Sequence, residues 1–246
     1  MSCEVIAITN QKGGVGKSTT ANAIGAGLHA KGYKVLFIDL DAQGSLSYCC
    51  NVYGATPTSL DVLIGKATIK EAVKETPQGD IVPASVYLSN YEGNITDLKK
   101  AISPVLKQYD YIIIDTPPAL GKVTLNALTA SNSVIVPVQA DIFSLQGLAQ
   151  LTQTVNFVKG KTNKGLFIKG LVLTRYNSRA VLSKELAAML EETANKIGTK
   201  IYNAKIRECM AIKEALAYKQ DIFTYSPKSN GSLDYAGLVD EIIKER

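Results

Sequence analysis

Short apolar segments rich in β-branched residues alternate with stretches of helical periodicity along this chain. Several of the short segments, such as residues 112–114, are continuous in isoleucine, which is typical of strands buried on both faces of a parallel sheet. Helix-covered parallel sheets are expected when such strands alternate with helices. The pattern predicts strands at residues 4–9, 34–39, 80–82, 111–115, 133–138, 168–174 and 200–206.

The intervening segments have the spacing of amphipathic helices, as Ala21, Ile24 and Leu28 show in the first of them. The predicted helices cover residues 17–30, 94–107, 145–158, 183–197, 211–219 and 233–244, and residues 226–232 are predicted to be a surface loop. No repeat, low-complexity tract or linker interrupts the series. We therefore expect an α/β fold, with a doubly wound, mostly parallel sheet covered by helices on both faces, in a single domain over residues 1–246.

A glycine-rich segment lies between the first predicted strand and the first helix. Gly13, Gly14 and Gly16 allow close backbone approach to a ligand, and backbone N–H groups at a helix N-terminus bind anions. At this spacing Lys17 would reach the β- and γ-phosphates of ATP, and Ser18 would ligate Mg²⁺. The pattern predicts a P-loop NTPase fold whose nucleotide-binding residues are Lys12, Gly13, Gly14, Val15, Gly16, Lys17, Ser18 and Thr19.

The usual pattern G-x-x-x-x-G-K-S/T is modified here. Gln11 occupies the place of its first glycine, and an additional lysine, Lys12, precedes the glycines. A glycine-rich turn with two surface lysines is the alternative interpretation. It would have to account for the glycines, lysines and hydroxyl all standing at ligand-binding spacing between a strand and a helix.

Carboxylates follow two further predicted strands. Asp39 and Asp41 come at the end of the second strand, and Asp115 ends the strand at 111–115. Ligands of such sheets bind at the carboxyl ends of the strands, so we expect these side chains to converge with the glycine-rich segment. Carboxylates there can hold Mg²⁺ through its waters, although each aspartate alone could simply cap the following helix.

These segments together resemble the ParA/Soj-type partition ATPases, which belong to the deviant Walker A class that also includes MinD. The resemblance runs over nearly the whole chain. It rests on residues 12–20, 39–44 and 113–120, on Pro137, Val138, Gln139, Leu145 and Gly147, and on the tail around 206–207 and 214–215.

The resemblance implies a slow ATPase that forms a sandwich dimer on binding ATP and Mg²⁺. Lys12 matches a lysine that crosses to the partner's phosphates, and Asp41 matches a carboxylate that supports the attacking water; with Lys17 they form the expected catalytic set. Asp39 and Asp115 match positions near Mg²⁺, together with Ser18. Backbone groups at Arg207 and Cys209 are expected to touch the adenine.

The resemblance also implies non-specific DNA binding by the ATP dimer and stimulation by a ParB-like, DNA-bound partner protein. Arg179 matches a DNA-contacting arginine, although each such residue could instead be a solvated surface charge. Ala211 stands where Soj relatives carry another DNA-binding arginine, and Arg207 replaces a common proline. The candidate DNA contacts are Arg179, Arg175, Lys184 and Lys213.

A MinD-like, membrane-associated ATPase involved in spatial positioning is the main alternative. It would need a basic amphipathic C-terminal helix, whereas residues 233–246 carry four acidic and two basic side chains. The formal net charge of +5 permits either nucleic acid or acidic lipid as a partner. Since no secretory signal or long apolar stretch is visible, we expect a cytoplasmic protein without a membrane partner. The resemblance implies that it is associated with the nucleoid.

Two other classes fit less well. A nitrogenase-type reductase needs cluster-ligating cysteines, and no cysteine lies between Cys50 and Cys209. A nucleotide-binding scaffold without hydrolysis would not need Lys12, Asp41 and Asp115 together. The four cysteines are expected to be reduced, and His29 is expected to be structural.

Overall fold

The computed structural model describes residues 3–246, and its centre is a six-stranded, entirely parallel sheet with the strand order β3-β2-β4-β1-β5-β6. The first strand, β1, lies between β4 and β5, so both of its edges are hydrogen-bonded. The strands are β1 (Glu4–Ile8), β2 (Val35–Asp39), β3 (Asp80–Val82), β4 (Tyr111–Asp115), β5 (Ser133–Val138) and β6 (Phe167–Leu173).

Helices cover both faces of the sheet. The helices are α1 (Lys17–Ala30), α2 (Ser45–Cys49), α3 (Ser59–Leu63), α4 (Ile69–Ala72), α5 (Asp97–Ile102), α6 (Lys122–Ala130), α7 (Ile142–Lys161), α8 (Val181–Lys196), α9 (Met210–Ala217), α10 (Ile222–Tyr225) and α11 (Asn230–Lys244). Short 3-10 turns occupy Leu88–Asn90 and Ser103–Val105.

Successive residues of β1 point into two separate hydrophobic cores. Ile6 and Ile8 pack in the core that includes Leu28 of α1, and Val5 and Ala7 pack in the core on the other face. This alternation follows from the two-residue period of a strand, and each fully buried aliphatic side chain contributes about 1.5–3 kcal/mol. The predicted doubly wound α/β architecture is therefore confirmed.

Glycines inside α1 let this helix lie close to its neighbours. A Cβ added at Gly25 would approach the Phe37 ring to 2.1 Å, and one at Gly27 would approach Val239 of α11 to 2.8 Å. A larger residue at either position would push α1 away from the sheet or from α11. Close packing of α1 in turn fixes the position of its N-terminus, where the glycine-rich segment ends.

The carboxyl ends of three strands meet at one edge of the sheet. Asp115 at the end of β4 is in register with Ile8 at the end of β1 and with Asp39 at the end of β2. The glycine-rich segment and the aspartates after β2 and β4 therefore leave the sheet side by side, as the sequence predicts.

The predicted strand at 200–206 is wrong. Within residues 3–246, isolated bridges and no continuous ladder join this region of the chain to β6 and the residues after it, between Leu171 and Ile201 and between Tyr176 and Arg207. The Glu241 carboxylate accepts hydrogen bonds from the backbone N–H groups of residues 203 and 204, at 2.9 and 2.7 Å. These N–H groups therefore bond to a side chain of α11 instead of forming a ladder with a strand.

Other boundaries also differ from the prediction. The predicted helix at 94–107 is reduced to α5 and the 3-10 turn that contains Pro104. The predicted loop at 226–232 is cut short because the Ser229 side chain caps α11, which begins at Asn230. The helices α2, α3, α4, α6 and α10 have no predicted counterpart.

The four cysteines form no disulfide, as expected. Among residues 3–246, no helix combines the length and hydropathy that a membrane span requires.

Candidate phosphate-binding site

The glycine-rich segment forms an open loop between β1 and α1. Gly14 and Gly16 have φ angles of 73° and 88°, a region that side chains with a Cβ rarely adopt. Within residues 3–246, the backbone N–H groups of residues 13–19 donate no hydrogen bond to the protein. Unused donors at a helix N-terminus are what a phosphate needs, so the loop fits the triphosphate of ATP.

The side chains of Asn10, which precedes the glycines, and of Thr174, which follows β6, hold this loop in place. The buried Asn10 amide donates to the Pro137 carbonyl oxygen at 2.7 Å, and its oxygen accepts the Lys12 N–H at 3.0 Å. The Thr174 hydroxyl donates to the Val15 carbonyl oxygen at 2.9 Å. All of these bonds are made within the chain, so the protein itself defines a pre-organised conformation of the loop.

The two lysines of the loop have different environments. Lys17 is buried, and its ammonium donates to the Lys12 carbonyl oxygen at 3.2 Å. Burial lowers the pKa of Lys17, while the carboxylates of Asp115 and Asp41 act in the opposite direction. The Lys12 ammonium instead lies at the partly exposed rim, 2.5 Å from a carboxylate oxygen of Asp141.

Asp115 is fully buried, and neither of its carboxylate oxygens has a hydrogen-bond partner among the described residues. Burial raises the pKa of Asp115 well above its usual range, the Asp39 carboxylate adds to the increase, and the nearby Ser18 hydroxyl opposes it. An unpartnered buried carboxylate next to a hydroxyl can accept hydrogen bonds from the waters of Mg²⁺. The residues present therefore fit a hydrated Mg²⁺.

Asp39 has a structural task. Its oxygens accept the Asp41 N–H at 3.1 Å and both the N–H and the hydroxyl of Ser47, at 2.8 and 2.7 Å. Burial raises the pKa of Asp39 to about 6, against these hydrogen bonds. It thereby shapes the turn that carries Asp41, and its contact with Mg²⁺ stays a prediction.

Asp41 is only partly buried at the carboxyl edge of the sheet. Its Oδ1 accepts the Gln43 N–H at 3.0 Å, which leaves acceptor capacity on the carboxylate. Such a carboxylate can orient a water molecule.

The predicted adenine residues lie in the segment between residues 201 and 209. Arg207 is clamped to Asp234 of α11 by two side-chain hydrogen bonds of 2.9 and 2.6 Å, and Cys209 immediately precedes α9. The Ile206 N–H donates to the Leu173 carbonyl oxygen of β6 at 2.8 Å. The segment is therefore fixed beside the carboxyl end of β6, and its contact with adenine stays a prediction.

The four predicted DNA contacts fall into two pairs. Arg175 and Lys213 both bind the Glu208 carboxylate, at 2.9 and 3.3 Å. Arg179 and Lys184 are exposed, and neither forms an ion pair with the described part of the chain. Only the second pair is fully available to an external anion.

Three residues of the site were not predicted. Asn10 and Thr174 act through hydrogen bonds to the loop, and Asp141 binds Lys12. Asp141 also caps α7, because its carboxylate accepts the Ser144 N–H at 3.0 Å. A cap can be predicted from sequence, but nothing in the sequence connects Asp141 with a lysine 129 positions away.

Comparisons with known proteins agree with this geometry. The model of the AAA domain family matches residues 3–168. The sporulation initiation inhibitor protein Soj of Bacillus subtilis is 37% identical over 250 residues, which cover 97% of this chain and 98% of Soj. The chromosome partitioning protein ParA of Caulobacter vibrioides is 38% identical over 253 residues, which cover 97% of this chain and 93% of ParA.

Two solved structures with nucleotides are similar in fold. Cobyrinic acid a,c-diamide synthase from Mycobacterium smegmatis, with a bound ATP analog and magnesium, has a TM-score of 0.83 and 30% identity over 99% of this chain and 95% of that chain. The septum site-determining protein MinD from Pyrococcus horikoshii, complexed with Mg-ADP, has a TM-score of 0.83 and 25% identity over 99% and 97%.

The phosphate loop, the unpartnered carboxylate and these similarities define an ATPase with a P-loop fold that uses ATP and Mg²⁺. The chain belongs to the family of ParA/Soj-type partition ATPases.

Proposed function

We propose that this protein is a partition ATPase that dimerises on ATP, binds DNA without sequence preference and segregates plasmid or chromosomal DNA. A ParB-like, DNA-bound partner would stimulate its slow hydrolysis. The single observation that carries the proposal is the open, pre-organised phosphate loop with one buried lysine and one lysine at its rim. The buried Lys17 suits binding of the nucleotide within its own subunit, and the partly exposed Lys12 is placed to reach a second subunit.

In this proposal the triphosphate lies on the N–H groups of residues 13–19, and Lys17 binds the β- and γ-phosphates. Ser18 and Asp115 hold Mg²⁺, directly or through its waters, with Asp39 behind them. Bound magnesium neutralises part of the triphosphate charge. The backbone of Arg207 and Cys209 contacts adenine. Residues 1–246 act as one ATPase domain.

Hydrolysis requires a positioned water and positive charge where negative charge develops. Asp41 is the carboxylate that orients the water. Lys12 provides its ammonium to the nucleotide of the second subunit, in the manner of an arginine finger. Its position at the rim of the loop, at 35% side-chain exposure, supports this role.

DNA binding rests on the exposed cations after β6. Arg179 and Lys184 would contact phosphates directly, whereas Arg175 and Lys213 would first have to share or leave Glu208. Such contacts to the DNA backbone give affinity without sequence preference. Location at the nucleoid in the cytoplasm follows from this proposal.

The MinD-like alternative is supported by the similarity to MinD in fold. It is the weaker candidate, because the apolar face of α11 packs in the hydrophobic core of the protein. Tyr235, Leu238, Val239 and Ile242 are buried in the core that α11 shares with α1. Membrane insertion of this helix would require that core to open.

ATP turnover measured with non-specific duplex DNA and, separately, with anionic vesicles distinguishes these functions. We expect stimulation by DNA at low salt, loss of that stimulation near 0.3 M salt because of counterion release, and no effect of vesicles. The Lys17→Ala variant gives the background rate. Stimulation by vesicles alone would favour the membrane function, and no response to either surface would contradict the DNA-binding part of the proposal.

A further inference from the structure

The rim lysine of the phosphate loop is held by its own subunit. The Lys12 ammonium and the Asp141 carboxylate are 2.5 Å apart, with side-chain exposures of 35% and 29%. In addition to this ion pair, the Asp141 carboxylate accepts the Ser144 N–H. Partial burial raises the pKa of Asp141. The Lys12 ammonium and the Ser144 N–H lower this pKa by more than burial raises it, so the net shift is downward. The lowered pKa keeps the Asp141 carboxyl ionised at neutral pH.

Only the side chain of Lys12 is free to rearrange. Its N–H is bound by the buried Asn10, and its carbonyl oxygen accepts the Lys17 ammonium. Neither of these backbone bonds involves Asp141, so the side chain can leave Asp141 without breaking them. This change needs rotation about side-chain bonds alone.

The two residues that follow Asp141 in the chain are apolar and exposed. Ile142 and Phe143, the first two residues of α7, are 65% and 69% exposed. Large apolar side chains this exposed are suited to being covered by another molecule. The ion pair is thus followed directly in the chain by exposed apolar side chains that a second copy could cover.

We propose that Asp141 is a positioning residue for Lys12: it holds the ammonium in its own subunit in the nucleotide-free protein, and this ion pair opens before Lys12 reaches the ATP of a second copy. The inference rests on the proposed ATP-dependent dimer. Asp141 thereby opposes premature dimerisation, and dimer formation requires two such pairs to open. Since one partly exposed pair changes an equilibrium by about 1.4- to fivefold, two pairs change the dimer dissociation constant by about two- to twenty-fivefold.

The test compares Asp141→Asn with Asp141→Glu. Asparagine removes the charge but keeps an oxygen that can cap α7, and glutamate keeps the charge. The first measurement is the rate at which acetic anhydride acylates Lys12 in the nucleotide-free protein, with Lys159 at the far end of α7 as the internal reference. We expect faster acylation of Lys12 in Asp141→Asn and a nearly unchanged rate in Asp141→Glu.

The second measurement is sedimentation equilibrium with a non-hydrolysable ATP analogue. Asp141→Asn should dimerise at a several-fold lower protein concentration than the wild type, with Asp141→Glu close to the wild type. The difference between wild type and Asp141→Asn should shrink as salt screens the pair. Asp141→Ser, which also keeps a capping oxygen, replaces Asp141→Asn if the latter does not fold.

Equal acylation of Lys12 in wild type and Asp141→Asn would overturn the inference, as would unchanged or weaker dimerisation of Asp141→Asn. A wild-type protein that stays monomeric with the analogue would instead contradict the proposed dimer. Faster acylation of Lys12 in Asp141→Asn would still establish the ion pair in that case, so the two failures are distinguishable.

Discussion

The ammonium nitrogen of Lys17 lies 3.2 Å from the carbonyl oxygen of Lys12, so the lysine side chain folds back over the loop whose N–H groups face the ligand. This places a buried cation where the phosphates would bind. Lys17→Ala should therefore lower ATP affinity by about tenfold to a hundredfold, since hydrogen bonds to charged groups contribute about 1.5–3 kcal/mol. Titration with a fluorescent ATP analogue measures the change.

Lys31→Ala is a suitable control, because Lys31 forms a largely exposed ion pair with Asp240 at the other end of α1. It removes the same charge without touching the loop. Equal affinity of Lys17→Ala and wild type would contradict the proposed phosphate site.

The two glycines at the start of the loop provide a matched pair for stability. A Cβ at Gly13 or at Gly14 meets nothing within 4 Å, but only Gly14 has a positive φ, of 73°. Gly14→Ala should therefore destabilise the nucleotide-free protein by about 1–2 kcal/mol, and Gly13→Ala by much less. Thermal unfolding followed by circular dichroism compares them, and an equal change in Tm would show that the backbone conformation is not the cause.

The buried Asp115 predicts a pH dependence in magnesium-free protein. Because its pKa is raised in the folded state, the folded protein holds this proton more tightly, and stability falls as pH rises above the unfolded value near 4. The slope is about 1.4 kcal/mol per pH unit for one such group. Asp39, whose pKa is raised to about 6, adds to the fall between about pH 4 and 6.

Asp115→Asn should remove the Asp115 part of this dependence. In EDTA the variant should be more stable than the wild type at pH 7, and the difference should disappear towards pH 4. Added Mg²⁺ and ATP should reverse the order by stabilising the wild type preferentially. Parallel denaturant-unfolding curves from pH 4.5 to 7.5 provide the measurement, and curves with a constant separation would exclude Asp115 as their source.

Asp41 is expected to act in hydrolysis and not in binding. Asp41→Ala should keep ATP affinity within a few-fold of the wild type, while its turnover falls by about a hundredfold or more, as is typical for loss of a positioned acid–base group. Gln43→Ala, in the same turn, keeps the carboxylate. Normal turnover by Asp41→Ala in a phosphate-release assay would remove it from the proposed role.

The exposed Arg179 should contribute to DNA binding. Arg179→Glu should weaken binding to non-specific duplex DNA and reduce the salt slope by about one unit. Lys159→Glu makes the same type of change at the opposite end of the sheet, at the exposed C-terminal end of α7. Fluorescence anisotropy across a salt series measures both, and similar losses would show that only net charge matters.

The arrangement of the long elements follows directly from the sequence. The bounds of β3, β4, β5 and α1 agree with the prediction to the residue. Periodicity defines such elements because burial of their apolar residues dominates their stability. The helices α3 and α4, of five and four residues, are too short to show a helical periodicity in the sequence. Capping boxes formed by Thr58 with Asp61 and by Thr68 with Glu71 stabilise them instead.

The binding site shows the same division. Gly14, Gly16 and Lys17 are predictable because the local backbone and the charge determine their roles. The engagement of Asp39 with Ser47 and of Lys12 with Asp141 depends on how separate loops meet in space. The failed strand at 200–206 has a similar cause, since a carboxylate from α11 takes its N–H groups.

The central place of β1 in the sheet also determines how the protein opens. A strand with hydrogen-bonded neighbours on both edges cannot detach by fraying, so its amides exchange with solvent only in the rarest openings of the molecule. The phosphate loop is attached to that strand, whereas the ammonium of Lys12 lies at the partly exposed rim. The backbone that anchors the nucleotide is thus protected by the sheet, while the side chain proposed to reach a second copy lies only four residues after β1, at the surface.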